Sequence, residues 1–359
     1  MNKAKEILEP DTPNVESKKP LAYFDQNILD IFHKHIPEEH TMNILFTEEI
    51  QVVYSDTTLA EIHKAGVNGK NPKYTNNFLD VLTRLNAQHI SLMMEDGHVI
   101  NKIYRSFLSP MAHYKIFLEN IEYDEFIAPM QKTSLALFGG VDDYETLKAE
   151  QKKVMQDLQT HLKAQIDVLK ECRNDNPVID TFVKDYDQKI IELDSQIQGF
   201  NKNVDKSLDS IRDNTIEKAG HKALREGLNI DVNILKSIRP PNILIGILEY
   251  LDSINQDNQV NIASMFDFNN DTNLNRKLYI FEKVNQIYAI LNLIGYHEDE
   301  KLHKEDKHLR ALRDMNHASY ACFCEYFFTN DERLIKKTQA AYEYLDIATQ
   351  ICKLNLTSE

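Results

Sequence analysis

Near both ends of the chain, short apolar runs stop on a polar or acidic residue, and a helical stripe starts directly behind them. Leu21-Ala22-Tyr23-Phe24 halts at Asp25, after which Ile28, Leu29, Ile31 and Phe32 recur at helical spacing. Gln51 to Tyr54 halts at Ser55, a good N-cap, ahead of Leu59, Glu61 and Ile62. Tyr326-Phe327-Phe328 halts at Thr329-Asn330-Asp331, where a further helix begins. This punctuation predicts strand–helix units and therefore an α/β protein. It sets Asp25 and Asp331 at the C-terminal ends of strands, the edge at which open α/β sheets bind ligands.

Composition narrows the function. The 359 residues carry 56 Asp plus Glu against 41 Lys plus Arg, a net charge of −15. Proteins that coat nucleic acid draw their affinity from phosphate neutralisation and are usually basic, so passive nucleic-acid binding is disfavoured. An acidic enzyme can still reach phosphate through divalent cations, which supply the positive charge. Hydrophobic residues make up 42%, enough for a sizeable core, and only 10 Gly and 10 Pro favour long helices over a turn-rich sandwich. Four cysteines (Cys172, Cys322, Cys324 and Cys352) fit neither a zinc ribbon nor a disulfide framework, which reads as a reduced, cytoplasmic protein. No apolar leader opens the sequence and no uncharged window reaches a membrane-spanning length, so no membrane is expected.

Along the chain, residues 1–19 read as a flexible N-terminal arm. A helix is expected over Thr75 to Asn86, then a hairpin pairing His89–Met94 with His98–Ile103 around Glu95-Asp96-Gly97. From Asp143 the pattern changes to a stripe of Leu147, Val154, Leu158, Leu162, Ile166 and Leu169, then a turn-like RNDNP at 173–177. A second stripe runs from Ile179 through Phe200 to Ile211. Two amphipathic helices over about 143–212 predict a long, coiled antiparallel hairpin. Ile243 to Leu251 and Leu278 to Ile294 read as buried helices around a polar loop, Asn255 to Asn275.

The last block, Arg313 to Leu334, reads as a short helix opening at Asp314, then the strand and the Thr-Asn-Asp turn. Acids gathered at a sheet edge repel one another unless a cation lies between them, and oxygen-only donors suit Mg²⁺ or Mn²⁺ rather than zinc. Taken together, YFDQNIL at 23–29, YSDTTLAE at 54–61, RDMNHASYA at 313–321 and FFTNDERL at 327–334 resemble the PIN-domain (PilT N-terminus) nuclease family. The resemblance implies a central parallel sheet flanked by helices, and phosphodiester hydrolysis by metal-activated water, usually on RNA. It implies Asp25, Glu61, Asp314 and Asp331 as metal-binding and catalytic acids, with Ser55 and Thr329 as supports and Asn27 orienting water or substrate.

Asp56, beside Ser55, competes with Glu61 for the ligand role. His317, three residues after Asp314, either contacts phosphate or water near the metal or is a partly buried histidine bonded to a neighbour. Lys336 and Lys337 read as surface lysines, with phosphate steering as the alternative. His297, His303 and His308 lie off a shared helix face and lack a zinc motif, while Cys322 and Cys324 read as core packing.

The expected organisation is a discontinuous PIN-like domain, 20–140 with 295–359, and a helical insertion, 141–294. The insertion would serve substrate selection, regulation by a partner, or homo-oligomerisation. The expected function is a metal-dependent endoribonuclease, with a toxin or defence effector as analogy. The rivals are a single-stranded or structure-specific DNA nuclease and a catalytically inactive interaction scaffold.

Overall fold

The computed structural model describes residues 19–35, 49–67, 73–95, 98–120, 124–171, 177–214, 219–255, 266 and 277–354. The arm up to residue 18, the turn tip at 96–97, the break at 173–176, Cys172 and nearly all of the 255–275 loop lie outside these residues. The chain divides into two units. One contains the residues up to His113, Tyr320–Asn330 and the segment from Ala348; the other contains Tyr114–Ser319 and Asp331–Ile347.

The first unit is built on a six-stranded sheet in the order β4-β3-β2-β1-β5-β6. Its strands are β1 (Leu21–Phe24), β2 (Gln51–Tyr54), β3 (Gln88–Glu95), β4 (His98–Ser106), β5 (Tyr326–Phe328) and β6 (Gln350–Cys352). It also carries α1 (Gln26–His35), α2 (Asp56–Val67) and α3 (Lys73–Arg84). β2 is buried along its whole length and β1 nearly so, the pattern of parallel strands covered on both faces. Each fully buried Tyr, Phe or Val there contributes about 1.5–3 kcal/mol of apolar transfer. Tyr23 meets Phe327 edge-on at 6.0 Å between ring centroids, and Phe24 meets Phe328 at 5.1 Å, tying the first strand to one some 300 residues later.

The sheet is mixed rather than wholly parallel. Pairs β1–β2, β1–β5, β2–β3 and β5–β6 are parallel, whereas β3–β4 is antiparallel. The expected hairpin is the source of that departure: its first strand enters the sheet beside β2, with Tyr54 opposite His89, and its second folds back along the edge. Because β1 lies between β2 and β5, chain order reverses across it. The crevice beyond the C-terminal ends of β1 and β5 is therefore a topological switch point.

The second unit is helical. It contains most of α4 (Pro110–Asn120), then α5 (Asp124–Leu137), α6 (Tyr144–Glu171), α7 (Pro177–Asn214), α8 (Gly220–Gly227), α9 (Val232–Ser237), α10 (Ile243–Ile254) and α11 (Ile280–Ile294). Most of α12 (Glu305–Ala321) and all of α13 (Glu332–Tyr344) follow. Lys148 of α6 pairs with Asp209 of α7, Lys152 with Asp205 and Lys163 with Asp194, so numbers fall along one helix as they rise along the other. Leu147, Val204 and Leu208 are buried in the same cluster. Leu169, expected on the apolar seam, is exposed instead.

Asp314 does not open a helix. It lies well inside α12, which starts at Glu305 and Asp306, acids that favour the positive N-terminal end of the helix dipole. Nothing between Glu305 and Ala321 is a Gly or Pro, so no residue interrupts the helix before Asp314.

Candidate metal centre

Asp25 stands where β1 gives way to α1. Its N–H donates to the Phe328 carbonyl at 3.1 Å, and its own carbonyl accepts from the N–H groups of Ile28 and Leu29. Backbone bonds to β5 on one side and α1 on the other fix its orientation. The carboxylate is buried, and its Oδ2 accepts from Thr329 Oγ1 at 2.8 Å and from Asn27 Nδ2 through a short contact. Asn27 Oδ1 accepts in turn from the Asn330 N–H at 3.1 Å, and Thr329 N–H donates to the Cys352 carbonyl at 3.0 Å. A buried carboxylate is costly unless hydrogen-bonded, and these donors offset that cost. Asn27 and Thr329 thus support Asp25 directly.

Glu61, half-buried on α2, brings a carboxylate oxygen to within 4.8 Å of one from Asp25. Two carboxylates this close repel, and a shared dication relieves that repulsion. Both donors are carboxylate oxygens, and the pair could hold a metal ion between them.

Asp56 has a different partner. Its Oδ1 lies 2.9 Å from His89 Nε2, and the carboxylate is largely exposed. His89 stacks on His113 with ring centroids 4.3 Å apart. The His113 imidazole is pushed down to about 4, first by burial and then by His89, with Asp56 opposing. This imidazole pair was invisible in the sequence, because the 23 residues between the two histidines carry no periodicity that links them. The Ser55 hydroxyl pairs with the Tyr23 hydroxyl at 2.7 Å, while its carbonyl accepts the Leu59 N–H that opens α2. Ser55 is therefore a strand-to-strand tie as well as the residue before the helix.

Asp314, His317 and Asp331 belong to the helical unit. Asp331 is the N-cap of α13, its Oδ1 accepting from the N–H groups of Arg333 at 2.9 Å and Leu334 at 3.1 Å. His317 is fully buried on α12. Lys337, expected at the surface, is also fully buried. Its Nζ lies 2.6 Å from Asp299 Oδ2 and 2.9 Å from Asn292 Oδ1, above the Tyr288 ring. Burial lowers its pKa, opposed first by Asp299 and more weakly by Asp314 and Asp331. These two acids therefore share a buried ammonium as a nearby countercharge.

His308 has a protein partner. It bonds Ser134 Oγ through Nε2 at 2.6 Å, and burial pushes its pKa down to about 4. Cys322, Cys324 and Cys352 are free thiols, and burial drives Cys324 well above the usual thiol range, as inert packing requires. No described helix is long and apolar enough to cross a membrane. The chain matches no family model, no curated protein and no solved structure.

Proposed function

We propose that the chain is a metal-dependent endoribonuclease in which Asp25 and Glu61 hold Mg²⁺ or Mn²⁺. The observation that carries this reading is the approach of these two carboxylates at the switch point of the sheet. When bound, the ion supplies Lewis-acid stabilisation of phosphate charge and a lower pKa for a water. Asp25 contributes a carboxylate whose Oδ2 is held by Thr329 and Asn27, so it meets a ligand without reorganising. Glu61 contributes the second oxygen from a helix, and the two together orient whatever lies between them. In hydrolysis, the water oxygen forms a bond to phosphorus as the bond to the leaving ribose oxygen breaks. The sequence resemblance implies roles for Asp314 and Asp331 as well, and these are tested separately.

The test is cleavage of matched RNA and single-stranded DNA with Mn²⁺, beside Asp25→Asn and Glu61→Gln, with Asp314→Asn and Asp331→Asn as separate arms. RNA is expected to be cut, and each of the first two substitutions to slow cutting by roughly a hundredfold or more, the scale of losing one charge-stabilising group. Equal turnover by wild type and Asp25→Asn overturns the assignment. Preference for DNA would make it a DNA nuclease with the same acids.

A further inference from the structure

Within the helical unit, a cleft of about 900 Å³ is bordered by the loop 297–303, α8, α9 and the start of α13. That volume lies within the range of small-molecule sites. Three acids line it, and each already has a cation. Glu298 pairs with Arg225, Asp299 with Lys337, and Glu300 with Arg333, at 2.5, 2.6 and 2.5 Å. Lys222, Lys236 and Lys301 line the same cleft and make no ion pair among the described residues. Once the three pairs cancel, the lining keeps three positive charges, in a chain whose net charge is −15. Further cations stand close by. The pKa of His297 is lowered by burial and then by Lys336, Lys236, Arg239 and Lys337 together.

The loop that carries these groups is built rather than loose. His297 and Lys301 both adopt left-handed backbone, at φ 44° and 57°, which residues with a β-carbon rarely take without support from their surroundings. Support comes from both ends. Arg225 caps α11 by donating to the Asn292 and Leu293 carbonyls at 2.7 and 2.8 Å before reaching Glu298. Asp299 is fixed by Lys337 and by Asn292, which exchanges two bonds with it. Gly140 presses against the loop's far end, where an added β-carbon would lie 2.5 Å from the His303 carbonyl oxygen. Burial also holds the His221 and His297 imidazoles below their usual range, so near neutral pH the positive charge comes from lysine and does not wait on acidification.

We propose that this cleft binds a phosphate-bearing small molecule of nucleotide size, its phosphates bridging Lys222, Lys236 and Lys301. Lysine ammonium groups bind phosphate as point charges, and three of them match the charge of a di- or triphosphate. The proposal concerns residues other than Asp25 and Glu61 and does not rest on the nuclease reading.

Calorimetric titration of the full chain with ATP, with tripolyphosphate and with a single-stranded RNA oligonucleotide tests it, all in EDTA. Saturable binding of ATP and tripolyphosphate is expected, weakened about tenfold by Lys236→Gln and likewise by Lys301→Gln. Asp25→Asn and Lys102→Gln, on the exposed face of β4, should leave it unchanged. Lys222 and Lys301 are exposed and Lys236 is half-buried, and unfolding curves for each variant separate lost binding from lost structure. No binding at millimolar ligand, equal loss in Lys102→Gln, or binding of RNA alone would each overturn the proposal.

Discussion

Thr329 shows how much one hydroxyl carries. It is fully buried, and the Asp25 carboxylate to which it donates is buried too, so the bond is made away from water. Thr329→Val keeps the shape and removes the donor. The expected cost is about 1.5–3 kcal/mol, the worth of a hydrogen bond to a charged group, read as a lower urea midpoint in EDTA. Thr329→Ser retains the donor and should lose less. If Asp25 is a metal ligand, the valine variant should also show a smaller rise in Tm with Mn²⁺, since its carboxylate is held by Asn27 without the threonine. A valine variant as stable as wild type would mean that Asn27 alone suffices. Lys337 makes the complementary point: a lysine next to another lysine reads as surface, and only the packing of α11 against α13 reveals it as the partner of Asp299.

The turn at 329–331 joins a strand to a helix, and its last acid has a structural task whatever else it does. Asp331 accepts two backbone N–H groups at the start of α13. Asp331→Ala should therefore cost about 1 kcal/mol, within the range for a lost cap, whereas Asp331→Asn keeps a capping oxygen and should be nearly neutral in EDTA. Urea unfolding of the two variants checks this. If Asp331→Asn then lowers the gain in stability from Mn²⁺, the residue does more than cap. Elements with local signatures were legible in the sequence: the stops at Asp25, Ser55 and Thr329 mark the ends of β1, β2 and β5, and all three strands form as read. Asp314 was misplaced because its neighbourhood resembled a helix start, while the first turn lay nine residues earlier at Glu305. The Asp25–Glu61 approach was anticipated through the resemblance. The His89–His113 stack and the cleft around 297–303 were not, because both are made by long-range packing of residues that share no period.

Charge is the property that sequence and structure express most differently. The chain as a whole is strongly acidic, yet Lys222, Lys236, Lys301 and several further cations stand around the 297–303 loop, where the acids are already paired. A nuclease of the kind proposed, with this charge balance, is not expected to hold RNA along an extended basic track. Its contact with substrate phosphate should be limited to a few positions, including any held through a metal ion. Each phosphate neutralised on a single strand adds about −0.7 to the slope of log affinity against log salt. One or two such contacts predict that the KM for RNA rises less than about tenfold between 50 and 200 mM KCl, whereas a track of six to ten contacts would lose roughly 300- to 16,000-fold in affinity. Steady-state cleavage across that range, at fixed Mn²⁺, measures the slope. A steep dependence would point to an extended basic surface, and a shallow one would agree with the cation proposed at Asp25 and Glu61 as the principal neutraliser of substrate charge.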